Sequence, residues 1–230
     1  MSPENSEAEQ LEKAVAVHRV LIDFYGHPEW RLPLSPLDEL ISTILSQNTN
    51  DRNRDLAFNS LRTRFPRWEE VRDAPVAEVI SSIRIAGLAN QKGPRIQAVL
   101  KQVTEERGDL DLSFLNTMSD EQARDWLLRF KGVGPKTAAI VMQFALDKPA
   151  FPVDTHIQRV TGRIGLRPER MNAEQAHHHL AELFPKDEYG PAHLNLIRLG
   201  REICKARKPD CPVCPVKAWC DYYTRNFKES

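Results

Sequence analysis

The stretch "FKGVGPKTAAIVMQFALDKPAFPVDTHI", residues 130–157, contains two glycines, a lysine at position 136 and, eighteen positions later, an aspartate at 154. Gly132 and Gly134 separate the amphipathic run "SDEQARDWLLRF" from a second, apolar helix that opens at Pro135. Lacking a Cβ, they permit backbone angles denied to other residues and let the main chain come close to an outside molecule. The first-turn N–H groups of the helix that follows then point outward without partners, which makes an anion site. Helix, glycine hairpin, helix is therefore suited to gripping a phosphate without reading bases. Taken alone, the same pattern equally describes an ordinary helix–helix turn. Lys136 falls at the second or third position of the new helix, where a cation at the positive end of the dipole is unfavourable. An amine that gives up its charge there is what nucleophilic catalysis by lysine requires. Asp154 reads as the N-cap of "THIQRVTGRIGL", and capping leaves it available for chemistry as well.

Outward from this stretch the apolar residues keep a helical period throughout, and no convincing strand occurs. "SEAEQLEKAVAVHRVLIDFYG" reads as an amphipathic helix ending at Gly26. "SPLDELISTILSQ" has Ser35 as N-cap, Pro36 at N1 and Asp38 at N3, and Ser119 with Gln122 forms a second capping-box pattern. With "NDRNRDLAFNSLRTRF", "VAEVISSIRIAG", "QKGPRIQAVLKQVTEERG", "GPKTAAIVMQFAL", "DTHIQRVTGRIGL", "NAEQAHHHLAELF" and "GPAHLNLIRLGREIC", the chain yields about ten helices and an all-α fold. The prolines fall mainly at helix starts or in loops, where a missing N–H does little harm. "HHH" at 177–179 reads as solvated helix surface, since adjacent helical residues point in different directions.

Composition bounds the function class. With 230 residues, 41% hydrophobic and 28% charged, the chain is long enough to bury a core. It contains no apolar run of membrane-spanning length. The polar, acidic opening "MSPENSEAEQLE" resembles neither a secretory nor a transit signal, so an intracellular protein with no membrane partner is expected. Net charge is zero, but its distribution is uneven. Residues 1–12 carry only Glu4, Glu7, Glu9 and Glu12, whereas residues 198–217 carry six bases against Glu202 and Asp210. A neutral total can thus conceal one basic face.

All four cysteines lie in "CKARKPDCPVCPVKAWC": Cys204, Cys211, Cys214 and Cys220, spaced C-x6-C-x2-C-x5-C. In an intracellular chain such crowding points to metal rather than to disulfides. Four thiolates suit tetrahedral zinc and an iron–sulfur cluster alike. Zinc ribbons usually pair two C-x2-C knuckles across a longer gap, and only one knuckle is present here, which favours a four-iron cluster. Lys205, Arg207 and Lys208 would sit on the rim of the loop so ordered, facing a phosphate backbone. An electron-transfer role is the competing reading.

The hairpin "LLRFKGVGPKTA", the segment "FPVDTHIQRV" and the cysteine spacing, in this order and at these distances, resemble the endonuclease III branch of the helix-hairpin-helix DNA glycosylases. The likeness runs from about residue 20 to 222. It implies a two-lobed all-α protein: a six-helix barrel over residues 36–148 that holds the hairpin, and a cluster domain from residues 1–35 and 149–230. It implies removal of oxidised pyrimidines from double-stranded DNA and strand cleavage at the abasic site, by a monomer. By position, Lys136 resembles the nucleophile that attacks the sugar C1′, and Asp154 the carboxylate that stabilises positive charge there. Cys204, Cys211, Cys214 and Cys220 match the ligands of a 4Fe–4S cluster. Gly132 and Gly134 match the DNA-gripping hairpin, Gln47 the residue that fills the emptied space, and Leu88 the opposite-strand wedge; His156 would line the pocket. Pro135 departs from the basic or polar residue usual in the hairpin, and "NTND" from the commoner "ATD", so the junction beside the pocket is expected to differ. Overall neutrality is expected to weaken non-specific DNA binding. The alternatives are a mismatch or adenine glycosylase of the same superfamily and a non-catalytic DNA-binding or redox protein; the presence of both Lys136 and Asp154 argues against them.

Overall fold

The computed structural model describes the backbone of residues 3–28, 33–168 and 170–227, with side chains from residue 8 onward. Twelve α-helices follow one another: α1 Pro3–Tyr25, α2 Pro36–Ser46, α3 Asp51–Arg64, α4 Trp68–Asp73, α5 Val76–Ser82, α6 Ala89–Arg107, α7 Asp120–Leu128, α8 Pro135–Ala145, α9 Thr155–Ile164, α10 Ala173–Leu183, α11 Tyr189–Glu202 and α12 Asp221–Phe227. Short 3-10 turns fill several connections, and no strand occurs among the described residues. The short α4 and α12 go beyond the helices expected from periodicity, because six or seven residues carry too few turns to display one. The run expected as one helix before Gly87 breaks into α5 and a 3-10 turn, Arg84–Ala86.

The helix boundaries follow local chemistry. Ser35 Oγ accepts from the Asp38 N–H at 3.2 Å to start α2. The Asp38 carboxylate departs from the expected reciprocal box: it receives the Ser35 hydroxyl at 2.8 Å and the Trp68 indole N–H at 2.9 Å. Ser119 and Gln122 do form the reciprocal box that starts α7.

Two compact units result, Leu32–Lys148 and Met1–Arg31 with Pro149–Ser230. In the first, α2 packs against α3, α6 and α8, and its Leu40, Ile41, Ile44 and Leu45 are wholly buried. In the second, α9 packs against α11 around Leu21, Ile157, Val160, Leu180 and Leu196. Phe151 stacks on Phe184 at 5.0 Å and meets Tyr189 edge-on at 5.5 Å. The "HHH" segment departs from the solvated surface expected of it. His177 Nδ1 donates to the Phe151 carbonyl and His179 Nε2 to the Leu166 carbonyl, each at 2.9 Å, so two of its three rings tie α10 to neighbouring loops.

Phe151→Ala removes a ring buried to 2% exposure between two aromatic neighbours. It should lower stability by about 3–5 kcal/mol in chemical denaturation. A loss below ~1 kcal/mol would contradict this packing.

Candidate functional site

The hairpin is built on two buried anchors, Phe130 and Val133, with the Val133 N–H donating to the Phe130 carbonyl at 3.0 Å. Gly132 between them has φ +87°, a left-handed angle that disfavours a Cβ. A Cβ there would also collide with the Arg95 side chain. Gly134 differs from the expectation of special backbone angles: its φ of −103° suits any residue, and a Cβ would meet open space. What its bareness provides is access. Gly134 caps α8 without a side chain and Pro135 follows at N1, so no side chain among the described residues caps the first turn. Lys136, second residue of α8, is exposed, and no ion-pair or hydrogen-bond partner approaches it among the described residues.

Gln47 ends α2 and is taken up by the same hairpin. Its Nε2 donates to the Gly132 carbonyl at 3.1 Å, and its Oε1 accepts from Arg95 Nη1 at 2.7 Å. The next residue, Asn48, is exposed with φ +54°, and Asn50 caps α3 through the Asn53 N–H at 2.8 Å. The "NTND" segment thus forms a tight polar junction between α2 and α3. Leu88 stands at the start of α6 with φ +50° and 46% exposure. A left-handed leucine costs about 1–2 kcal/mol, and its exposed apolar surface offsets none of this. One turn on, Lys92 is 1% exposed and donates to the Leu45 and Ala86 carbonyls, both at 2.8 Å. Burial, and secondarily the nearby Arg95, pull its pKa down to about 8. Sequence reasoning passed over Lys92 and Arg95, and took Asn48 only as part of the "NTND" departure. The available signal was a lysine on the same face of α6 as the buried Ile96.

In the other unit, Asp154 caps α9, its Oδ1 accepting from the Ile157 N–H at 2.8 Å. The carboxylate is half-buried at the positive end of that helix, where an anion is favourable. His156 is turned toward the protein: its Nδ1 accepts from Arg159 Nη2 at 3.1 Å. Arg159 also donates to the Gly200 carbonyl at 2.8 Å and the Cys204 carbonyl at 2.9 Å. Arg163, one turn further along α9, donates to the Lys205 and Ala206 carbonyls and lies 3.4 Å from Cys204 Sγ. Two arginines of α9 therefore hold the start of the cysteine loop, while Lys205, Arg207 and Lys208 stay exposed.

Cys204, Cys211, Cys214 and Cys220 are all free thiols and line one cavity, walled by Val160, Ile164, Leu199 and Val216. Burial raises the Cys211 and Cys220 thiols above their ordinary value and pushes Cys214 up to about 11; the neighbouring sulfurs add to it. Among the described residues, no three His, Cys, Asp or Glu side chains converge closely enough to hold a single ion.

These features can be set beside known proteins. The profile of the HhH-GPD superfamily base excision DNA repair proteins matches residues 41–186. The endonuclease III of Sulfolobus acidocaldarius is 34% identical over 191 residues, 82% of this chain and 83% of that protein. A putative DNA glycosylase of Arabidopsis thaliana is 38% identical over 153 residues, 66% of this chain, which spans about half of it (52%). A trapped covalent intermediate of an endonuclease III with DNA, 25% identical, superposes with a TM-score of 0.78 over 98% of this chain and 99% of that one. The chain belongs to the HhH-GPD superfamily of base excision DNA repair proteins, as an endonuclease III-like DNA glycosylase.

Proposed function

We propose that the protein is a bifunctional glycosylase that excises oxidised pyrimidines from double-stranded DNA and then cleaves the strand at the abasic site. The observation that carries this reading is Lys136: an exposed amine on the first turn of α8, directly after a hairpin and at a helix start that no side chain among the described residues caps. In this reading the hairpin grips a phosphate while the target nucleotide is extruded, at a cost of a few kcal/mol. The neutral Lys136 amine attacks C1′ and forms a C–N bond. The C1′–N bond to the base breaks, and the base leaves with the electron pair and takes up a proton. Opening of the sugar ring gives the imine. Loss of a C2′ proton then expels the 3′ phosphate by β-elimination, and water releases the amine. Asp154 supplies a fixed anion for the positive charge that develops on the sugar. Leu88 enters the stack on the opposite strand, and Gln47 and Asn48 border the emptied space. The relative trapped as a covalent DNA intermediate supports the nucleophilic route.

We assign Cys204, Cys211, Cys214 and Cys220 as the ligands of a 4Fe–4S cluster. Four free thiols around one cavity, in the spacing C-x6-C-x2-C-x5-C with a single C-x2-C knuckle, supply the four-sulfur donor set such a cluster takes. Such a cluster supplies structural order to a loop too short to fold by itself, and positions Lys205, Arg207 and Lys208 toward a phosphate backbone. The protein is read as an intracellular monomer.

Borohydride should trap the wild-type protein covalently on duplex DNA carrying an abasic site, and Lys136→Gln and Lys136→Ala should form no adduct. Asp154→Asn retains a good cap and should slow base release by ~10²–10⁴-fold with the fold intact. Absence of an adduct from the wild type would overturn the lysine route. For the metal, anaerobically purified protein should be brown, with iron and acid-labile sulfide in equal amounts. Removing the metal with a chelator should abolish duplex binding and leave the Leu32–Lys148 unit helical by circular dichroism. A colourless, folded protein carrying zinc would sink the cluster assignment.

A further inference from the structure

We propose that Lys92 and Arg95 form a positioning staple that fixes Leu88, the Gln47–Asn48 turn and the hairpin relative to one another before DNA arrives. The inference rests on the repair reading above, and goes beyond it in assigning residues that touch no DNA.

An ammonium is an expensive group to bury, and at position 92 a methionine would fill the same space without a charge to desolvate. Its two acceptors show what the charge does. The Leu45 carbonyl belongs to the last turn of α2, where carbonyls lack an intrahelical partner, and the Ala86 carbonyl closes the 3-10 turn before α6. Each lies two residues before a side chain of the proposed insertion edge, half-buried Gln47 in one case and exposed Leu88 in the other. Lys92 therefore caps two helical segments at once and locks together the backbones that present those side chains. Arg95 adds the third component. It orients the Gln47 amide, and that amide donates to the Gly132 carbonyl, against whose Cα the Arg95 side chain packs.

The conformations held in this way are unfavourable ones. Leu88 and Asn48 both have positive φ, and each is exposed. Such angles persist where surrounding contacts over-determine them. Extrusion requires insertion into the stack from both strands together, so any freedom between the two inserting segments must be lost on binding. The staple removes that freedom in the free protein.

Borohydride trapping on two probes separates positioning from general damage: an abasic site in a duplex, and the same abasic oligonucleotide single-stranded. Lysine chemistry is common to both probes, whereas only the duplex needs insertion. Lys92→Met should slow trapping on the duplex by about tenfold, the factor given by 1.4 kcal/mol, and leave the single strand within about twofold. Arg95→Met should do the same to a smaller degree, and Arg95→Lys should restore part of the loss. Leu88→Ala should cost the wild type duplex activity and the Lys92→Met protein almost nothing more. Equal rates for wild type and both methionine variants on the duplex would overturn the proposal, as would equal slowing on both probes with melting unchanged. If Lys92→Met fails to fold, the Arg95 pair decides by the same ratio. No trapping by the wild type on either probe is the separate failure, that of the lysine route itself, and the staple falls with it.

Discussion

A buried ammonium cannot be left without acceptors, and this constraint organises the exposed edge of the Leu32–Lys148 unit. Lys92 is removed from water at a cost of several kcal/mol unless it is paired. The two carbonyls that meet it come from the ends of separate helical segments. Their positions fix where α2 stops and where α6 begins. Leu88, Gln47 and the hairpin inherit their places from that junction, and Lys136 inherits its place from the hairpin. A sequence with an apolar residue at 92 would pack the same helices with less penalty, but it would not tie the two ends together.

The Pro149–Ser230 portion follows a parallel logic with different chemistry. The Asp154 carboxylate is held by one N–H of α9, so it is oriented while being half-open to solvent. Arg159 and Arg163 extend from the same helix to the backbone of the cysteine loop. The helix that displays the carboxylate is thus the one that grips the loop. Disorder in the loop would take the Cys204 carbonyl from Arg159, the partner of His156, and loosen the first turns of α9. That dependence would couple any group held by the four cysteines to the helix that carries Asp154.

Much of the candidate site was legible in the residues because its parts are local. Lys136 after two glycines and Asp154 at a helix start depend on a few neighbouring positions, and so does the cysteine spacing. Gln47 was legible as a residue but not as a bonded one. Its partners lie 48 and 85 positions away, and no periodicity encodes them. Gly134 was read as needing special angles because glycines in turns often do, whereas its backbone is ordinary and its bareness serves access. The histidines of α10 were read from helical geometry alone, and the loops that receive their protons come from elsewhere in the chain.

By itself the sequence determined the all-α class, the order of the longer helices and most of their ends. Caps such as Ser119 and Asp154, and stops such as Gly26 and Gly108, act within one turn of the chain. Tertiary structure alone decided which buried or exposed polar groups bond across helices, which side chains are held in strained conformations, and where a lysine is taken from water. Those outcomes depend on long-range packing, which a linear pattern of residue types does not carry.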